Sequence, residues 1–430
     1  MRSLFTISLI ILSSQILGQL DLLNDEFDRP CSLQSWNNIN ITEGWNAEQL
    51  EHHDIGITND GSLTMIPYTS SWYADYRGIL LYKLVSGNFI FETEVSVTNR
   101  TETGLPSSDY SLAGMMIRTP KSLVNGATGW TPGMENYVFL ALGYASTSHP
   151  SCSSCPGPHF EVKNTINSNS NLSISNIPQP QATIRMMRVN GAIIVLRRLP
   201  GGNFTVHARY NRQDMPSEVQ LGFVTYTDWP NVNQYNYITQ NSNVLNDDFD
   251  NTVSWNPDLI GTFDYARFDD VSIPPHLQGL NFSNPSQVSD YEILNNFTYD
   301  LTATFPWQGK IWKGVNNDWN DPTNWTDNSM PIPSDSLLIP DCSCPSVACP
   351  TLPSGVHQYA ALIIDQGGHL NINQGASLEV NLSDLNWRFR NNGTIINNGN
   401  ITITRPQGHM IVNTGSIINN TGSNFEIIDP

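Results

Sequence analysis

Apolar and polar residues alternate with a period of two through most of residues 25–275. The clearest stretch is 88–97, where Phe89, Phe91, Thr93, Val95 and Val97 fall on one side and Glu92, Glu94 and Ser96 on the other. That spacing predicts a strand with one face in the core and one in solvent. Residues 62–66, 78–82, 112–118, 136–143, 182–189, 192–198, 203–209 and 219–226 continue the series, with Gly, Pro or Asn between them. Asn190-Gly191 joins two such runs and supplies the positive φ angles of a type I′ turn, so it predicts a hairpin. No long run of helical period interrupts the block, which favours an all-β sandwich or jelly roll over any α/β arrangement.

Beyond residue 275 the pattern changes. Residues 276–306 are polar with few strand signals and read as a linker. Residues 307–352 are rich in tryptophan, with Trp307, Trp312, Trp319 and Trp325, and large aromatics of this kind form a small core where a segment has little else to bury. In residues 353–430, Asn391-Asn392-Gly393-Thr394-Ile395-Ile396-Asn397-Asn398 returns as Asn413-Thr414-Gly415-Ser416-Ile417-Ile418-Asn419-Asn420, which is 22 positions on, from Gly393 to Gly415. Such a repeat predicts a short β-solenoid whose coils bury apolar side chains on one another and stack their asparagines.

Two resemblances attach to these residues. The ordered set Asp25-Glu26-Phe27-Asp28, Ala113-Gly114-Met115-Met116-Ile117-Arg118, Arg185-Met186-Met187-Arg188, Gly201-Gly202 and Tyr265-Ala266-Arg267-Phe268-Asp269-Asp270-Val271 is similar to the concanavalin A-like lectin/glucanase superfamily over residues 25–275. The resemblance implies a jelly-roll sandwich of two antiparallel sheets with its first and last strands paired, and it names no reaction, because one architecture hosts many functions. Trp307-Gln308-Gly309, Trp312-Lys313-Gly314, Asp318-Trp319-Asn320 and Asn324-Trp325 resemble the opening that precedes β-solenoids in large bacterial surface proteins, which implies other cell-surface modules as partners.

Composition adds a location. Arg2, the apolar run 4–12 and the small polar stretch 13–18 have the order of an export signal, so the mature chain is expected to begin near Gln19 and to be secreted or displayed at the cell surface. No segment reaches the roughly 20 apolar residues of a membrane span. With 20 Lys plus Arg against 39 Asp plus Glu the formal charge is −19, which repels nucleic acid and leaves neutral glycans or cations as the expected partners. In an exported chain Cys31, Cys152, Cys155, Cys342, Cys344 and Cys349 read as disulfide formers, with the pairing open.

Three kinds of chemistry bear on these residues. Laminarinase-type members of the superfamily carry a Glu-x-Asp-x-x-Glu strand, consistent with the paired carboxyls of glycoside hydrolysis. That motif is missing here; Glu92 and Glu94 are the nearest substitute and read as a solvated strand face, so no catalytic residue is assigned. His52-His53-Asp54 offers metal-binding groups, but adjacent residues on a strand point to opposite sides. Carbohydrate binding asks for rings that stack on sugars beside polar groups that bond hydroxyls. Trp72, Tyr73, Tyr76 and Arg77, with Trp130 and Trp229 on Gly- or Pro-bounded loops and Tyr235 and Tyr237 close behind, are the candidates. Asp25, Glu26 and Asp28 on the first strand and Asp269 and Asp270 on the last would meet if those strands pair, a candidate structural calcium site, and Asn246-Asp247-Asp248-Phe249-Asp250 repeats the acidic pattern. The expected function is non-catalytic carbohydrate binding; a glycoside hydrolase or polysaccharide lyase of this fold and an adhesive surface protein without glycan specificity are the alternatives.

Overall fold

The computed structural model describes residues 20–27, 30–45, 47–122, 129–145, 157–301, 309–342, 347–382, 389–407 and 411–429. The expected export signal, Asp28, Cys152, Cys155, Trp307 and Cys344 lie outside the described residues. Two compact units result: the described residues within 1–28 and 36–299, and those within 29–35 and 300–430.

The first unit is a sandwich of two antiparallel sheets. In hydrogen-bonded order the seven-stranded sheet runs Asn37–Asn38, Ile79–Ser86, Glu218–Tyr226, Ser111–Arg118, Tyr137–Ala145, Gly157–Ile166 and Asn169–Asn176. The second runs Thr205–Asn211, Ala192–Arg198, Gln181–Val189, Phe89–Thr98, Ile260–Phe263, Leu63–Pro67 and Leu50–Ile55, with Arg267–Asp270 also pairing Phe89–Thr98. In each sheet hairpin pairs are combined with neighbours that are distant in sequence, as in a jelly roll. The hairpin at Asn190-Gly191 forms as expected, with φ of 50° and 78°. The first and last strands meet at one bridge, where the backbones of Asp25 and Ala266 exchange both hydrogen bonds.

Between the sheets lies an aromatic core. Phe223 packs against Phe91 at 5.5 Å, Phe263 at 4.5 Å and Trp36 at 5.0 Å, and Phe91 stacks on Phe268 at 4.5 Å. Because alternate residues of a strand face opposite ways, Phe223 pointing inward turns Gln220, Gly222, Val224 and Tyr226 outward. The strand register then places Arg118, Tyr137, Phe139, His159, Glu161 and Lys163 on the same outward side.

Two boundaries differ from the sequence expectation. The segment read as a linker belongs, through Tyr299, to the sandwich unit. Leu277, Phe282, Val288, Ile293 and Phe297 are buried, and the helix Asp290–Phe297 starts with a capping box of Ser289 and Glu292. This strap also corrects the reading of Glu92 as solvated. Glu92 is buried, paired with Arg185 and bonded by the Tyr265 hydroxyl at 3.0 Å, while Arg185 donates to the Phe297 and Tyr299 carbonyls. Strand alternation marks two faces but does not reveal that a later segment covers one of them. Glu94 keeps partial exposure and accepts from Gln181 at 2.7 Å.

The second unit is a β-solenoid of three parallel sheets, one of five strands and two of four. Trp312, Trp319 and Trp325 belong to the opening of the solenoid and share its core. Lys310–Ile311 pairs in parallel with Ser336–Ile339, and Trp312, Trp319 and Trp325 are fully buried within 6.1 Å of one another. Each indole N–H has an acceptor: the Ala348 carbonyl, the Tyr359 hydroxyl and the Trp319 carbonyl. The 22-residue repeat becomes a ladder, with Asn391 donating to Asn413 at 2.9 Å and Asn397 to Asn419 at 2.8 Å. Gly415 sits on Gly393 at a corner where a Cβ would lie 2.1 Å from the Gly393 carbonyl, so the repeat needs glycine there. A disulfide joins Cys342 to Cys349, Cys31 is disulfide-bonded as well, and no described cysteine is free.

Candidate functional site

The outward face of the seven-stranded sheet carries the densest chemistry of the sandwich. Loops from five parts of the chain end on it and bring their rings into one belt. Tyr110 meets Trp229 at 6.3 Å; Trp229 meets Tyr73 at 5.7 Å and Tyr76 at 5.4 Å; Tyr76 meets Tyr237 at 6.3 Å. Tyr237 meets Trp130 at 5.4 Å, and Trp130 meets Trp45 at 5.8 Å. All six are edge-to-face contacts, a favourable geometry for ring pairs. Tyr73 is 39% exposed, and Tyr76, Trp130, Trp229 and Tyr237 are half-buried, so the belt presents ring surface to solvent.

The loops are locked from behind. Asp228, buried and held at φ 66°, accepts hydrogen bonds from Thr69, Ser108, Asn231 and the Asn256 N–H, which ties together the segments bearing Tyr73, Tyr110 and Trp229. At the other end Arg118 is clamped between two buried carboxylates. It bonds Glu135 twice at 2.8 Å, Gln220 at 2.7 Å, and Glu43, which also accepts from the indole N–H of Trp45 at 3.2 Å and from the Gln220 amide at 3.5 Å. Burial alone would push the Glu135 carboxyl up, but the guanidinium beside it outweighs that and holds it below the usual range.

Two of the expected binding residues stand behind the belt rather than in it. Trp72 has no exposed surface; its indole donates to the Ile79 carbonyl at 2.9 Å and its ring meets Tyr137 edge-on at 5.4 Å. Arg77 is likewise fully buried, 4.0 Å over the Trp45 ring and bonded to Asn40, and burial pulls its guanidinium down to about 9. Both serve as the floor on which Tyr73 and Tyr76 stand. They sit inside because Trp72 and Arg77 follow the turn back toward the sheet, whereas Tyr73 and Tyr76 bridge each other across its tip.

Glu161 and its neighbours form a buried cluster that the strand pattern alone does not single out. His159, Glu161 and Lys163 share one side of the strand Gly157–Ile166 and are buried. Glu161 accepts from the Tyr226 hydroxyl at 2.9 Å and pairs with Lys163 at 3.1 Å, and Lys163 also donates to the Trp72 carbonyl at 2.6 Å. Burial would raise the Glu161 carboxyl, yet Lys163 and His159 leave it lowered; burial lowers the Lys163 ammonium and raises the Tyr226 phenol well above its ordinary value. The alternation of His159, Glu161, Lys163 and Thr165 with Phe160 and Val162 was the available signal.

The acids proposed for calcium find other partners. Asp25 accepts from the Phe27 N–H and the Trp36 indole, and Glu26 forms a two-pronged pair with Arg267 at 2.8 and 2.7 Å. Asp269 accepts from the Asp270 N–H and the Tyr299 hydroxyl. Among the described residues no three His, Cys, Asp or Glu side chains gather to hold a metal. His52 is bonded to Asp54 at 2.6 Å, an Asp that also caps Ile57 and Thr58.

No family model matches this chain, and no curated protein matches it. Solved structures are similar to it at low identity. A functionally unknown protein from Saccharomyces cerevisiae is 11% identical, covering 56% of this chain and 99% of that one, with a TM-score of 0.35. Xylan beta-1,4-xylosidase from Bacillus halodurans C-125 is 13% identical over 57% of this chain and 39% of its own, with a TM-score of 0.37. Basic winged bean lectin, solved with Tn-antigen, is 15% identical over 54% and 96%, with a TM-score of 0.31. Similarities this low carry no argument of their own; the strand order does. Among the described residues no helix is long and apolar enough to cross a membrane.

Proposed function

We propose that the sandwich unit binds carbohydrate, without cleaving it, along the belt that runs from Tyr110 through Trp229, Tyr73, Tyr76 and Tyr237 to Trp130. The observation that carries this reading is the belt itself: rings from separate loops, fixed by Asp228 and by the Arg118 clamp, of which Tyr73, Tyr76, Trp130, Trp229 and Tyr237 keep partial exposure when an ordinary core would hide them, with buried Tyr110 closing one end. Pre-set rings stack on sugar faces at little entropic cost. Secretion or display at the cell surface accords with the Cys342–Cys349 disulfide, since such bonds persist in oxidising compartments.

The experiment is retention of the full chain on a polysaccharide panel, with product detection in the same assay. Tyr73→Ala and Trp229→Ala should each weaken binding to a retained polysaccharide about five- to tenfold, the worth of one ring contact of roughly 1–1.5 kcal/mol. Unchanged affinity in both variants would remove the belt from the function. Glycan cleavage is the second reading, and the ionised Glu161 between Lys163 and Tyr226 is what favours it. It requires new reducing or unsaturated ends that Glu161→Gln abolishes.

A further inference from the structure

A groove of about 580 Å³ opens beside the belt, lined by Glu48, Leu50, Tyr68, Asn243, Val244, Asn246, Asp248 and Phe249. The chain leads from one to the other. The helix Tyr237–Ser242 begins at a belt ring and ends where Asn243 and Val244 enter the groove, and Tyr68 stands just before the loop bearing Tyr73 and Tyr76. The rings are continuous too: the Tyr76 hydroxyl donates to the Tyr235 carbonyl at 2.7 Å, and Tyr235 meets the groove residue Phe249 at 5.4 Å.

The groove differs from the belt in charge. It presents two carboxylates and two amides between two rings, and among the described residues no lysine, arginine or histidine lines it. Glu48 is oriented by Asn38 at 2.9 Å, Asn40 at 2.8 Å and the Leu50 N–H at 3.2 Å, with the buried Arg77 and half-buried His53 close enough to feel its charge, so among the described residues the carboxylate that faces the groove without a cation partner is Asp248. Asp248 is exposed at the rim. A neutral sugar meets only hydrogen-bonding capacity here, an acidic sugar is repelled, and a sugar bearing a protonated amine gains a charge partner.

We infer that this groove selects for an amino sugar: it takes a glycan unit carrying a free, protonated amine, at the end of a chain that lies along the belt. The inference rests on the belt binding carbohydrate. It makes the sandwich specific for de-N-acetylated glycans over their acetylated or neutral counterparts, and the formal charge of −19 draws such chains in from solution.

The test is calorimetry on the full chain with three probes of equal length: glucosamine tetramer, N-acetylglucosamine tetramer and cellotetraose, at a pH where the amine is protonated and at low salt. The amino oligomer should bind most tightly. Asp248→Asn should weaken it about two- to fivefold, the range of a partly exposed charge pair, and leave both neutral probes unmoved. Added salt should erase the preference. Glu218→Gln removes an exposed acid at the opposite end of its strand and should change nothing, which separates the groove from bulk attraction. Tyr73→Ala should weaken whichever probes bind. Equal binding of neutral and amino probes, with Asp248→Asn silent, overturns the amino-sugar inference and leaves the belt standing. Failure of every probe and of the polysaccharide panel overturns both.

Discussion

Replacing Arg118 by Met tests whether the buried charge clamp holds the belt. In the native protein Arg118, Glu43 and Glu135 are at most 1% exposed, and the guanidinium makes two bonds to Glu135, two to Glu43 and one to Gln220. Met fills much of the same space but leaves carboxylates inside the protein without their cation. Breaking a buried pair in this way costs about 3–5 kcal/mol near neutral pH. The pH dependence has a definite sign. Native Glu135 is held below its unfolded value of 4.5, so its contribution is present above that pH and lost as pH falls through the native value. Without Arg118 only the lesser pulls of Lys121 and Arg77 oppose burial, so the Glu135 value rises, and the penalty is full at high pH and shrinks as the carboxyl takes up a proton. The assay is urea unfolding followed by tryptophan fluorescence at about pH 7.5 and about pH 5, comparing Arg118→Met with the wild type. The gap between them should narrow at the lower pH. A triple variant with Glu43→Gln and Glu135→Gln should regain much of the loss, since a neutral replacement of a buried network is often nearly free of cost. A destabilisation below about 1 kcal/mol, or a gap independent of pH, would refute the reasoning. Because Glu43 also holds the Trp45 indole, Arg118→Met should weaken glycan retention in the folded variant as well.

Asn397→Ala removes donors to Asn419 and to the Asn424 carbonyl and an acceptor for the Gly399 N–H, all in a fully buried position; it should cost about 1–3 kcal/mol in the solenoid's unfolding transition and leave the sandwich's unmoved. His207 is pushed down to about 4, chiefly by burial and then by the charge of Arg197, so the unfolded state binds the proton first. Stability should therefore fall as pH drops from 6.5 toward 4, and His207→Gln should flatten part of that slope; identical slopes in variant and wild type would contradict it.

What depends on near neighbours along the chain is legible in the residues alone. Period-two alternation located most strands, Asn190-Gly191 fixed a hairpin because its φ angles suit few other pairs, and the repeat from Gly393 to Gly415 set the stacking of solenoid coils. The sequence also named five belt rings, Tyr73, Tyr76, Trp130, Trp229 and Tyr237, because aromatics on or just after Gly- and Pro-bounded loops are a local signal. Only the tertiary structure decided which neighbours in the same loops face inward: Trp72 and Arg77 look equally available in sequence and are fully buried. Only it covered Glu92 with the strap ending at Tyr299, and only it set Trp45 and Tyr110 in line with rings far along the chain. Alternation says which side of a strand a residue takes, but what lies over that side depends on segments that the jelly-roll crossovers return from a distance. The belt is built at that level, where strands separated by long stretches of sequence lie side by side.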